Sequence, residues 1–334
     1  MDAVIGDFGE KRLLKEVILP LVNPNLDPYL AGDDCGIVDV PDGHYLCAST
    51  DRVPWDLTAY RLKIISEREL GYYLAVLNLS DIAATGASPV GLLLNFALPP
   101  SFSVRQLVDI MSGVLAASTK YGVSVLGGDL SDAAEPSLSA TSIGIGRRGM
   151  HLGRAGAQEG DFIYISGLCG LAATAFRYFL EAKPRGLSLA TERENLLKLA
   201  FTNPVPQIGL GQAIAASGNR ATAMDNTDGL SQSLSELADA SFKHYVIHQD
   251  LLPIHPVTAE VAEYLSEDPF ELALGPGADF NLVGTIDSEA PLERLTLNRI
   301  GQVEAGSGIS ILTNGVTRSI QPRGWNYFRE RNDQ

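Results

Sequence analysis

Short runs rich in β-branched and aromatic residues alternate with helical runs from one end of this chain to the other, and no fixed-period repeat connects them. That alternation admits an α/β or α+β architecture and argues against a helix bundle or a β-sandwich. In the first half the pattern predicts strands near residues 37–40, 45–49, 91–97, 123–126 and 137–146, with helices near 9–20, 66–85 and 104–120. In the second half it predicts strands near 162–166, 221–224, 245–248, 280–286 and 299–303, with helices near 171–181, 207–217 and 230–240 and an exposed connection over 182–193. The glycine-rich, locally basic stretch 147–156 interrupts the pattern. It divides the 334 residues into two candidate domains, 1–150 and 151–334, each long enough to bury a core.

Forty Asp and Glu against 25 Lys and Arg give a formal net charge of −15, which excludes a large duplex-binding surface as the first reading, because phosphate-backbone affinity comes mostly from cationic side chains. Nucleic acid is therefore not an expected partner. The same excess suits a protein whose carboxylates hold divalent cations against an anionic small molecule. Cys35, Cys47 and Cys169 are odd in number and lack C-x-x-C spacing, which points to a reducing, cytoplasmic setting. The opening Met1-Asp2-Ala3-Val4 carries no basic leader, and the longest nearly apolar run, 162–176, stops at Arg177, so neither a signal peptide nor a membrane span is expected.

Several familiar signatures fail. There is no G-x-x-x-x-G-K-[ST] and no G-x-S-x-G. Residues 144–149 spell G-x-G-x-x-G, but the following Met150-His151-Leu152 lacks the helical periodicity a dinucleotide site needs. His244 and His248 bracket Tyr245-Val246-Ile247, which favours a strand over a helical zinc pair.

What remains is a series of aspartates: Asp33 and Asp34 after Gly32, Asp51 after Ser49-Thr50, Asp81 after Asn78-Leu79-Ser80, Asp129 after Gly127-Gly128, and Asp225 and Asp228 around Asn226-Thr227. Taken singly, an Asp beside Gly belongs to turns and helix caps. Asp81 resists that reading, because on a helix it falls within about 60° of arc of Leu70, Leu74 and Leu77 and so shares their apolar stripe. Two carboxylates about 5 Å apart repel by roughly 3 kcal/mol at an effective dielectric near 20, so their convergence calls for cations, and Mg²⁺ is the natural one beside phosphates. Two features could meet phosphate directly: the turn Gly167-Leu168-Cys169-Gly170 between strand and helix, and Arg154 in Gly153-Arg154-Ala155-Gly156.

In order along the chain, Gly32-Asp33-Asp34-Cys35, Ser49-Thr50-Asp51, the stretch Asn78-Leu79-Ser80-Asp81-Ile82-Ala83-Ala84-Thr85-Gly86-Ala87, Gly127-Gly128-Asp129, Arg154-Ala155-Gly156-Ala157 and Asp225-Asn226-Thr227-Asp228-Gly229-Leu230 resemble the thiamine-monophosphate kinase family. That family belongs to the superfamily of aminoimidazole ribonucleotide synthetase. The resemblance implies a two-domain α+β or α/β homodimer. Its N-terminal sheet domains pair into a β-barrel, its C-terminal domain is mixed α/β, and ATP binds in the cleft between. It implies Mg²⁺ held by Asp33, Asp34, Ser49, Thr50, Asp51, Asp81, Asp129, Asp225 and Asp228, and ATP contacts at Tyr121, Gly128, Asp129, Arg154 and Thr227. Asp81, Asp129, Arg154 and Asp228 are the residues expected to carry phosphoryl transfer from ATP to thiamine monophosphate.

Substrate positions depart from the family pattern. Asp51 is followed by Arg52-Val53-Pro54-Trp55-Asp56-Leu57-Thr58 where the family has a segment ending in His-Phe, and Ala278-Asp279 stands where it has Glu-Asp. Gly324-Trp325-Asn326-Tyr327-Phe328 keeps an aromatic able to stack on a heterocycle but replaces a histidine by Tyr327. Trp55, Thr58, Ala278, Asp279 and Trp325 are thus the candidate acceptor contacts. A paralogous kinase acting on another small molecule and a non-catalytic nucleotide-binding dimer are the competing readings.

Overall fold

The computed structural model describes residues 4–23, 32–325 and 327. Its organising element is the helix Glu67–Ala84. Ser66 starts it with a reciprocal cap, in which its Oγ accepts from Glu69 N at 3.4 Å and Glu69 Oε2 accepts from Ser66 N at 2.7 Å. Leu70, Leu74, Val76, Leu79 and Ile82 are all fully buried, so this helix is enclosed on every side and the single apolar stripe predicted from the sequence is only one part of its buried surface. Each such side chain contributes about 1.5–3 kcal/mol on burial. Against it runs the helix Val104–Tyr121. A Cβ on Gly71 would lie 1.9 Å from Ile110 O, and one on Gly113 would lie 1.7 Å from Arg68 O, so the two backbones touch where both chains lack a side chain.

Five strands make the first sheet: β1 Gly36–Val40, β2 His44–Val53, β3 Ser88–Leu98, β4 Ser124–Asp132 and β5 Ser137–Arg147, in the order β1-β2-β5-β3-β4. Only β3 and β4 pair in parallel, and the helix Val104–Tyr121 provides their crossover. Two strands run four or more residues past their expected ends. β2 continues past Ser49 through the charged Asp51 and Arg52, because β5 goes on pairing with it as far as Val53 opposite Leu138. β4 continues through Gly127-Gly128-Asp129, which reads as a break in sequence; here the glycines permit a bulged close approach, with Leu94 O only 1.8 Å from where a Gly128 Cβ would stand.

The second sheet holds β6 Phe162–Ile165, β7 Ala221–Asn226, β8 His244–His248, β9 Asn281–Ile286, β10 Asn298–Glu304, β11 Gly308–Thr313 and β12 Val316–Ser319, in the order β12-β11-β8-β10-β6-β9-β7. The β11–β12 hairpin and the helices Thr191–Thr202 and Pro256–Leu265 are additions to the predicted elements. The predicted helix 171–181 is present, α-helical over Leu171–Arg177 and π-helical over Tyr178–Ala182. The connection predicted as exposed over 182–193 is tethered, since Ala182 and Leu189 are buried in the main core. That core runs from Val53, Leu70 and Leu138 to Tyr178, Val257 and Phe280, joining the layers that carry the two sheets. The structure is therefore mixed α/β with two open sheets, and among the described residues no helix is long and apolar enough to cross a membrane.

Candidate active site

Four stretches of backbone bring carboxylates to the end of the central helix. Asp33 and Asp34 lie in the turn before β1, Asp51 on β2, Asp81 on the helix itself and Asp225 at the end of β7. Asn78 fixes the first of these contacts: its Oδ1 accepts from Asp51 N at 3.0 Å, and its Nδ2 donates to Leu74 O at 3.0 Å, so one buried amide locks β2 to the helix. Strand alternation then turns Ser49 and Asp51 to the same face, on the side of Asp81. Thr50 points the other way, donating to Ala140 O at 3.0 Å and accepting from Thr141 Oγ1 at 3.1 Å, so its hydroxyl is engaged with β5.

Asp34, Asp81 and Asp225 each present an oxygen such that all three lie within 4.8 Å of one another. Burial pushes the Asp34 carboxyl up to about 8 against the pull of Arg154, and pushes Asp225 up to about 6. Burial, then the neighbouring Asp225 and Asp51, raise Asp81 well above the usual carboxylate range. Buried Asp34 Oδ2, Asp225 Oδ2 and Ser80 Oγ have no hydrogen-bond partner. Clustered hard oxygens with orphaned lone pairs suit Mg²⁺, and these residues fit it.

Cations of the chain itself flank the cluster. Arg154 Nη2 lies 2.5 Å from Asp34 Oδ1 and its Nη1 2.7 Å from Glu236 Oε2. Lys11 Nζ lies 2.5 Å from Asp228 Oδ2 and 3.1 Å from Glu236 Oε1. Glu236 therefore bridges two cations; burial alone would raise it, but Arg154 and Lys11 outweigh burial and hold it below the ordinary carboxylate value. Asp33 acts as a latch, accepting from Asp34 N at 2.8 Å and from Arg154 N at 3.1 Å. A Cβ on Gly153 would come within 2.6 Å of Asp33 Oδ2 and push that carboxylate off its place.

Lys11 and Glu236 escape the sequence reading. Lys11 meets Asp228 from 217 positions away and Glu236 meets Arg154 from 82, so no local spacing connects them. The local sign is the i, i+4 pair on the helix Leu230–Ser241, where Gln232 Nε2 donates to Glu236 Oε1 at 2.8 Å.

The other predicted residues are placed as follows. Thr227 Oγ1 donates to Asp225 Oδ1 at 3.3 Å and so belongs to the cluster. Asp129 and Gly128 lie on the exposed edge strand β4, outside the three-carboxylate group. Tyr121 closes the helix Val104–Tyr121, with its hydroxyl 3.2 Å from that of Tyr72. Trp55 packs against Tyr60 and Phe102 at centroid distances of 5.1 and 5.2 Å, and Thr58 opens the short helix Thr58–Arg61. Ala278 packs on the main core. Trp325 is half-exposed beside Tyr327, and its N donates to Asp228 O at 3.0 Å; Asn326 and Phe328 of the same motif lie outside the described residues. In the turn 167–170 the Asp279 carboxylate accepts from Gly170 N at 2.6 Å and from Ala172 N just beyond it at 2.8 Å, and Cys169 N donates to Pro253 O at 3.1 Å, so these amides are already engaged within the chain.

Residues 32–146 match the family of AIR synthase related proteins, N-terminal domain. The thiamine-monophosphate kinase of Methanopyrus kandleri is 30% identical over 293 residues, covering 86% of this chain and 88% of its own. That of Archaeoglobus fulgidus is 32% identical over 262 residues, covering 78% and 79%. Among solved structures, AaThiL complexed with AMPPCP and TMP superposes with a TM-score of 0.84 at 25% identity, covering 98% of this chain and 99% of that one.

Proposed function

The chain belongs to the thiamine-monophosphate kinase family, and from that premise we propose that it transfers the γ-phosphoryl group of ATP to the phosphate of thiamine monophosphate, giving thiamine diphosphate and ADP. The observation that carries the reading is the convergence of Asp34, Asp81 and Asp225 within 4.8 Å, with orphaned oxygens on two of them. Asp34, Asp81 and Asp225, with Asp51 and Asp228 beside them, would hold Mg²⁺, whose chemistry there is to neutralise phosphate charge. Joining two anions needs positioning and neutralisation more than a protein nucleophile. Arg154, already aimed at the cluster and carried by the connector between the sheets, supplies a fork for phosphate oxygens. Asp33 holds that fork in place through the Arg154 amide. No general base is needed when the attacking phosphate oxygen is already ionised.

The division into 1–150 and 151–334 places the nucleotide cleft along this connector. The protein acts as a homodimer in this reading. β4 pairs on one side only, and Leu93, Leu126 and Leu130 are 38, 51 and 65% exposed on β3 and β4, an apolar surface suited to pairing with a second copy into a barrel. Asp129 and Gly128 would then lie near that junction. Three buried free cysteines fit the reducing cytoplasm. The test is an assay of purified protein with ATP, Mg²⁺ and thiamine monophosphate, quantifying thiamine diphosphate and ADP. Equal amounts of both support the reading; ATP binding without diphosphate would assign the machinery to another acceptor.

A further inference from the structure

The N-terminal segment runs from the helix Glu10–Leu13 through a π-turn at Leu14–Ile18 to the helix Leu19–Val22, and none of these residues is buried. Polar links hold it. Lys11 reaches Asp228 and Glu236, Lys15 Nζ lies 3.2 Å from Asp239 Oδ2, Glu10 N donates to Tyr327 O at 3.0 Å, and Tyr327 N donates to Glu10 Oε2 at 3.1 Å. A segment with no buried side chain thus delivers an ammonium group into the carboxylate cluster.

Charge balance indicates what that ammonium does. Lys11 faces Asp228 and Glu236, while Arg154 faces Asp34, Glu236 and, at 4.0 Å, Asp33, so only Glu236 touches both. Resting on the reading that Asp34 and Asp228 serve a divalent cation, a cation there leaves Lys11 only its contact with Glu236, a carboxylate it shares with Arg154. A partly desolvated ammonium left without half its counter-charge is costly, and phosphate oxygens are the anions that arrive with the metal. We infer that Lys11 is a phosphate-binding residue of the transfer reaction, holding Asp228 in competition with the divalent cation and passing to a phosphate oxygen when cation and nucleotide are bound.

The test compares wild type, Lys11→Met and Lys11→Arg. Manganese(II) alone, titrated by electron paramagnetic resonance, should bind Lys11→Met about tenfold more tightly than wild type, because its competitor is gone. ATP with Mn²⁺ should bind the same variant at least about tenfold more weakly, and kcat/KM with thiamine monophosphate should fall roughly 100-fold, with Lys11→Arg recovering most of both. A purely structural role would move the two affinities in the same direction. Unchanged or weaker Mn²⁺ binding in Lys11→Met, or wild-type affinity for ATP, overturns the inference. Wild-type protein inactive on thiamine monophosphate would defeat the acceptor assignment instead, leaving the two binding arms to judge Lys11. Lys11→Arg keeps the positive charge that holds the segment and should melt with wild type, which makes it the folding control for Lys11→Met.

Discussion

Arg154 Nη2 and Asp34 Oδ1 stand 2.5 Å apart, with 2% of the Asp34 side chain exposed. The pair ties the connector between the sheets to the turn that begins the first one, and the guanidinium offsets part of the upward push that burial gives the Asp34 carboxyl. Replacing Arg154 by Ala removes one partner of a buried pair, which costs about 3–5 kcal/mol. Chemical denaturation should show that loss, and calorimetry should show ATP binding weakened at least about tenfold. Wild-type affinity for ATP would take Arg154 out of the site.

Asp81→Asn separates charge from shape. The amide fills the same volume in the buried cluster but cannot release a proton to a cation as the burial-raised Asp81 carboxyl can. Magnesium-dependent ADP formation should fall by roughly 100-fold or more, while the thermal midpoint without divalent cations holds, since the carboxyl it replaces keeps its proton there. Turnover at the wild-type rate would end the metal assignment of Asp81.

Acidity should stabilise the protein once divalent cations are chelated. Asp34 is raised from 3.8 to about 8, and Asp225 and Asp279 from 3.8 to about 6, all chiefly by burial. Between those values the folded chain retains protons that the unfolded chain has released, so their stabilising contribution is complete below about pH 4 and is lost as pH rises through 6 and then 8. Glu236 is shifted downward and acts below this window. Melting in chelator should therefore decline from pH 4 to 8, and saturating Mg²⁺ should flatten the decline by taking up the ionised carboxylates. A midpoint climbing across that range in chelator would contradict the burial of these groups.

Leu130→Asp tests the assembly. Leu130 is 65% exposed on an edge strand, so the charge costs the single chain little, yet it cannot be buried against a second apolar sheet. Sedimentation should show a dimer for wild type and a monomer for the variant, and an unchanged dimer would place the contact elsewhere.

Much of the site was legible because its residues lie in compact motifs. Asp81 follows Asn78 by three helical positions, and the oddity of a carboxylate among leucines survives any uncertainty about helix ends. The cation partners were not legible, since Lys11 and Glu236 are brought in by tertiary packing. Strand ends failed where function intrudes: Asp51 and the glycine pair before Asp129 carry poor strand propensity, and neighbouring strands override it. The β11–β12 hairpin was readable and overlooked, for Asn314 and Gly315, at φ of +50 and +80°, form the Asn-Gly turn that joins such strands.

The pairing of β2 with β5 sets an order of events. β2 pairs with β1 locally, but Ser49 meets Ser142 on its other side, so the strand carrying Asp51 gains its second neighbour only after β3, β4 and the crossover helix have been made. Contacts of such long sequence separation form slowly. A nascent chain therefore completes its carboxylate cluster late, once β7 of the second sheet has brought in Asp225, and acquisition of divalent-cation affinity during refolding marks the joining of the two sheets, a clock for assembly that needs no added probe.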